Sequence, residues 1–227
     1  MRRLTWIACL LVTVGSIAGC HRGPETPLAV AAAEGRAADV TDLIAAGADV
    51  DAADAGITAL GWAARFGQSA SIEVLVAAGA EIDLPSGTND WPPLMHAVHK
   101  NQTAAARALV RAGASIRGRD GKRALAMAAG YGNTEMVQAL LDAGVEPSAD
   151  ILVEAVGGAW DIDYRWSGCE PHTSTVRALL AAAPDLRMSE GLGSRWAMRH
   201  ARKEGCTEML SILGGERGEV RASVDTD

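Results

Sequence analysis

The chain has 227 residues and carries 28 Asp and Glu against 21 Lys and Arg, a formal net charge of -7. That acidic balance argues against nucleic acid as a partner, because phosphates need a basic footprint. Hydrophobic residues make up 48% of the chain although Phe occurs once and Tyr twice, so any core must rest on small side chains, Ala above all, and on helices that approach closely.

Residues 1–19 read as an export leader. Met1-Arg2-Arg3 is a short positive region, Leu4 to Val14 is an apolar run too short for a comfortable membrane span, and small residues follow. The leader ends in Ile17-Ala18-Gly19-Cys20, and the whole arrangement resembles the signal and lipobox of bacterial lipoproteins. The resemblance implies cleavage before Cys20, acylation of that Cys, and a protein held on the membrane of a bacterial envelope. His21 stands where Asp usually marks retention in the inner membrane, so the same resemblance implies the outer membrane, facing the periplasm. Residues 20–25 then form a short lipidated tether containing Gly23 and Pro24.

From residue 26 a pattern recurs. Leu28, Leu60, Leu94 and Leu125 each precede a glycine, Gly47, Gly79, Gly113 and Gly144, by 19 residues, while the intervals between the leucines are 32, 34 and 31. Length changes therefore fall between units and leave each pair of helices intact. In the fourth unit Gly121 marks a tight turn, Ala124 to Ala129 a first helix, Gly130 and Gly132 its end, and Thr134 the cap of a second helix with Met136, Val137, Leu140 and Leu141 at helical spacing. Thr26-Pro27-Leu28-Ala29-Val30-Ala31-Ala32-Ala33-Glu34-Gly35 resembles the Thr-Pro-Leu-His-x-Ala-Ala-x-x-Gly pattern of ankyrin repeats. The resemblance implies an all-α solenoid of stacked helix-turn-helix units joined by hairpin loops, since one such unit cannot bury its apolar face alone. Ala29, Gly61, Met95 and Ala126 stand at the family's His, so the inter-repeat hydrogen bonds that this His makes are not expected.

The third unit begins after a longer connection, 84–91, and has Asn101 in place of Gly at a left-handed position. A fifth unit aligns Leu152 and Val156 with the first helix and Val176, Leu179 and Leu180 with the second, with an insertion at 160–172 between them. A sixth, capping unit carries Met198, Ala201, Gly205, Leu210 and Leu213. The repeats thus span 26–213, and residues 214–227 lack apolar periodicity and read as a flexible tail. Trp62 and Trp196 fall on apolar helical stripes and are expected in core or cap.

Catalytic constellations are sparse. There is no Ser-His-Asp motif, phosphate-binding Gly loop or nucleophile elbow, and Asp161 and Asp163 lack the Gly and Glu that a calcium loop needs. His96 and His99 read as packing or surface residues, because no third and fourth ligand accompanies them. Cys169 and His172 have ligand spacing, and His200 and Cys206 would complete a zinc site if the last units brought the four together. Equally, Cys169 and Cys206 are the two cysteines left once Cys9 and Cys20 are accounted for, and in an oxidising compartment they can pair as a disulfide or stay free. The expectation is no enzyme, no cofactor and no metal.

Binding is the better supported function. The hairpin tips change character along the array, from Asp49, Asp51 and Asp54, through Asn89, Asp90 and Trp91, to Arg117, Arg119 and Lys122. Such a gradient can orient a partner of complementary charge, with Trp91 as an exposed aromatic anchor. The insertion, with Trp160, Tyr164 and Trp166, is a second candidate surface, for a partner or for covering the last repeats. The expected partner is another protein, and the role that of an inhibitor or immunity protein of the periplasm, or of a purely structural envelope scaffold.

Overall fold

A computed structural model describes residues 23–158, 168–188 and 191–214. Within them the helices follow one another as pairs: α1 (Pro27–Ala33) with α2 (Ala37–Ala45), α3 (Ala59–Phe66) with α4 (Ser69–Ala77), α5 (Pro93–His99) with α6 (Thr103–Arg111), α7 (Gly118–Gly130) with α8 (Thr134–Asp142), α9 (Ala149–Gly157) with α10 (Cys169–Ala182), and α11 (Leu192–Lys203) with α12 (Thr207–Gly214). Odd-numbered helices pack on one another in sequence and even-numbered ones do the same, giving an inner and an outer layer. No helix among the described residues is long and apolar enough to cross a membrane.

Local chemistry sets the helix boundaries. Thr26 is extended and its hydroxyl accepts from the Ala29 amide at 3.4 Å, with Pro27 next in the first turn, where its missing N–H is no loss. Thr58 does the same for α3, accepting from the Gly61 amide at 3.1 Å. Gly67 ends α3 at φ 80, a left-handed conformation that favours glycine. Asn101 takes the same left-handed turn at φ 53.

One continuous core runs from Leu28 to Met209. The aligned Leu28, Leu60, Leu94, Leu125 and Leu152 are all buried, and Ala31, Ala32, Ala63, Ala64, Ala97, Ala128, Ala129 and Ala155 between them expose next to nothing. Neighbouring units are also stitched by polar groups. Asp51 Oδ1 accepts from the Glu81 amide at 3.0 Å, and Asp83 Oδ1 accepts from the Ser115 amide at 3.0 Å. Asp54 accepts from the amides of Glu25 and Thr26 at 2.6 and 2.7 Å and from the Thr26 hydroxyl at 3.1 Å. Burial alone would raise the Asp54 carboxyl, yet these donors outweigh it and hold it below its ordinary value.

Several expectations need correction. Gly121 is not a turn: α7 begins at Gly118 and contains it, buried, with a Cβ position only 1.7 Å from Ile116 O. The fourth unit therefore replaces the β-hairpin with an extended helix, and Arg117, Arg119 and Lys122 stand at that helix's start and not on a hairpin tip. The row of hairpins is short among the described residues: Ala53–Asp54 pairs with Ile57–Thr58, and a single bridge joins Ser86 to Trp91. Thr134 is not the cap of α8, whose cap is Asn133; its hydroxyl instead bridges to Pro171 O at 3.3 Å and Thr175 Oγ1 at 3.1 Å in the next unit. The insertion is shorter than expected, because Cys169 to His172 form the first turn of α10. Of the two tryptophans expected in core or cap, Trp62 is buried in the core and Trp196 lies on the capping unit's helix, 39% exposed. Cys20 and residues 159–167, with Trp160, Tyr164 and Trp166, lie outside the described residues, as do Asp161 and Asp163.

Cys169 and Cys206 are bonded, sulfur to sulfur at 2.07 Å, joining the start of α10 to the α11–α12 turn across 37 residues. Arg177 of α10 also pairs with Glu208 of α12. A closed loop of this length limits the unfolded chain by about 2–4 kcal/mol. Replacing both cysteines by Ser should lower the unfolding free energy of the C-terminal units by that order, and urea denaturation with and without reductant should show wild type converging on the variant only when reduced.

Candidate functional site

Among the described residues the central units gather four of the five Phe, Trp and Tyr side chains, Trp62, Phe66, Trp91 and Tyr131. At the third unit the Ser86–Trp91 bridge, with both backbone bonds at 2.9 Å, fixes Trp91 just ahead of α5. Its ring lies 5.0 Å from the ring of His99 and 5.8 Å from that of His96, centroid to centroid. His99 Nδ1 lies 2.9 Å from the Tyr131 hydroxyl at the end of α7, so the ring chain crosses from one unit to the next. Trp91 is half-buried, not the exposed anchor expected, and His99 and Tyr131 share that intermediate exposure. In the second unit Trp62 is buried and donates from Nε1 to Asp54 O at 3.1 Å, while Phe66 stacks on it at 5.9 Å and remains 48% exposed. The Arg65 guanidinium lies 6.0 Å from the Trp62 ring centroid.

His96 is the buried hinge of this cluster. Its Nε2 is 3.3 Å from both the Ser86 carbonyl oxygen and the Ser86 hydroxyl. A carbonyl only accepts, so Nε2 carries the proton and donates to it, leaving Nδ1 a bare lone pair with no hydrogen-bond partner. Burial, with smaller opposing and supporting effects from the Ser86 carbonyl, Arg65 and His99, pushes the ring down to about 4. It is a neutral packing residue.

Asn89 and Asp90 are exposed on the turn before Trp91, Asp90 at φ 48. Arg117, Arg119 and Lys122 are exposed too, but α7 separates them from Tyr131: twelve residues from Arg119 at a helical rise place them about 18 Å apart. The ring cluster and the cations are thus separate places on α7: at 3.6 residues per turn Arg119 and Lys122 stand about 120° and 180° around the helix from Tyr131. Sequence reading missed Arg65, Phe66 and Tyr131, and had His99 only as a packing or surface residue. A signal was present, since these residues fill the two positions before the left-handed turn in each unit, where the repeat pattern prescribes no residue type.

The four residues proposed for zinc do not assemble as ligands. Cys169 and Cys206 are bonded to each other, so neither is a thiolate, and His172 is buried with Nδ1 donating to Ala155 O at 2.8 Å. Burial also lowers its affinity for a proton. Among the described residues no group of three or more His, Cys, Asp or Glu is arranged to hold a metal.

Comparison with known proteins defines the class. Residues 81–151 match the family model of ankyrin repeats in three copies. The fold is similar to that of an ankyrin repeat domain from Acinetobacter baumannii AYE, at 26% identity over 82% of this chain and 95% of that one, with a TM-score of 0.63. A comparison with curated proteins found no match. The fold is an all-α ankyrin-repeat solenoid, an architecture that serves protein–protein interaction and is generally not enzymatic.

His96 makes the site sensitive to acid. A group whose proton affinity falls on folding is protonated more readily when unfolded, so its contribution is complete above pH ~6.5 and is lost as pH falls from there towards about 4. The loss amounts to about 3 kcal/mol by the usual conversion. Urea unfolding across that range should show it, and His96→Leu should flatten the slope without abolishing it, because His172 is displaced in the same direction.

Proposed function

We propose that this is a non-enzymatic, lipid-anchored protein of the bacterial envelope, on the outer membrane and facing the periplasm, that binds another protein with the inner face of its central units. The observation that carries the binding reading is the chain of partly exposed rings Trp91, His99 and Tyr131, held by one another across two units. Rings already fixed in place lose little freedom when a partner covers them, so their contact area converts efficiently into affinity. Arg119 and Lys122 at the far end of α7 supply a charged rim that can align the partner. The anchored reading rests on the leader and on Cys20.

A rigid surface tethered near its target suits occlusion, and an immunity protein that blocks a toxin delivered to the periplasm is the concrete form. Arguments of location and architecture support that form by analogy. Trp160, Tyr164 and Trp166 of the insertion are proposed as a second partner-binding segment.

Two measurements test the two halves. Metabolic labelling with palmitate should mark the wild type and not Cys20→Ala, which should leave the membrane fraction. Crosslinked pull-downs from envelopes should recover a partner that Tyr131→Ala loses by about thirtyfold, the ~2 kcal/mol of an interface anchor. Arg119→Glu with Lys122→Glu should slow capture and abolish or invert the loss of rate that salt causes in the wild type. Equal recovery by all variants, each with unchanged circular dichroism, would remove the inner face from the proposal.

A further inference from the structure

The C-terminal helix α11 departs from the rest of the array. Its buried residues are Ala197 and Ala201, which seat it on α9 and α12. At helical spacing the opposite face carries Leu192, Arg195, Arg199, Arg202 and Lys203, with Trp196 beside them, and all six are exposed. Leu192 is 79% exposed and Trp196 39%, so this one helix holds two of the three large apolar residues that the described chain leaves open. Trp196 is held in place, its ring parallel to that of His200 at 5.2 Å and pressed against the backbone of Gly157.

Solubilising an open end explains only part of this. A terminal repeat needs polar groups on its outer face, and cations in the last turn suit the helix C-terminus, which accounts for Arg202 and Lys203. It does not account for an exposed Leu and Trp, nor for Arg195 and Arg199 in the body of a helix that has no carboxylate of its own, within a chain of net charge -7. A helix with Leu and Trp framed by Arg and Lys is what an anionic lipid surface binds: the apolar groups enter the headgroup boundary and the cations meet the phosphates. A protein hot spot asks for a complementary pocket around its anchor, whereas a headgroup layer asks for none and fits a helix that stands proud with two residues buried.

We propose that the exposed face of α11 is a membrane-surface contact for anionic phospholipid, independent of any lipid at Cys20. Each cation near such a surface strengthens binding roughly fivefold. The probe is the full chain carrying Cys20→Ala, co-sedimented with vesicles of phosphatidylcholine alone or mixed with phosphatidylglycerol; whatever the leader contributes is common to every variant. The parent should bind the phosphatidylglycerol vesicles in excess, and salt should reduce that excess. Arg195→Glu with Arg199→Glu should remove at least about tenfold of it, Arg195→Lys with Arg199→Lys should keep it, and Leu192→Glu should weaken binding with all cations in place. Thermal melts of each variant check that α11 stays folded, which substitutions of exposed residues should permit. An excess that is absent, or equal in the charge-reversed variant, overturns the proposal. So does salt-sensitive binding to polyglutamate without any vesicle excess, which would assign the face to an acidic protein.

Discussion

The close approach of the inner helices governs everything else in this molecule. Successive units meet through pairs of alanines, Ala31 and Ala32, Ala63 and Ala64, Ala128 and Ala129, that expose almost no surface. Such small side chains let backbones draw together, and the single leucine of each inner helix from α1 to α9 then fills the space above them. Because density in a packed interior leaves no slack, a larger residue at an alanine position would force neighbouring units apart and cost about 1–3 kcal/mol in overpacking. The spacing of units, the direction of the inner face and the position of every ring upon it follow from that contact.

Polar stitching is matched to the same spacing. The family's His is missing, and side chains elsewhere take up the bonding between units: Asp51 to the Glu81 amide, Asp83 to the Ser115 amide, Gln68 Nε2 to the Ala33 carbonyl at 3.1 Å. The next place in the Asp series is Arg117, which cannot accept. There the hairpin gives way to the extended α7. The start of this helix, with its exposed cations, thus stands at the point where the carboxylate ladder ends.

The repeat was legible because its signals are local and periodic. Aligned leucines, paired alanines, a threonine before each of the first two inner helices and Gly or Asn at left-handed turns all act within a few residues of where they stand. What was not legible depends on contacts across units. Thr134 reads as a cap and serves as a bridge because Thr175, 41 residues on, offers a better-placed partner. Trp91 reads as an exposed anchor and is half-covered because His99 and His96 reach it from the following helix. Gly121 reads as a turn, yet it is needed inside a helix where Ile116 O leaves no room for a side chain. Glycine signals both circumstances alike, and only the packing separates them.

The two ends show how charge can close a solenoid. Asp39 and Asp42 occupy places that α4, α6 and α8 fill with Ser71, Ala105 and Met136 and with Val74, Ala108 and Ala139, mostly buried. Arg202 occupies the place of Ala32, Ala64, Val98, Ala129 and Val156, all buried. A further unit stacked on either end would have to strip water from these charges, an expense that an apolar face would not incur. At the N-terminal end the substitutions stop there, around a recess lined by Pro27, Val30 and Leu43. At the C-terminal end Leu192 and Trp196 reintroduce apolar surface next to the cations, which weakens a cap as a cap. Closure alone would have favoured polar residues at both positions, so the pair is better understood as surface retained for contact than as an unfinished end.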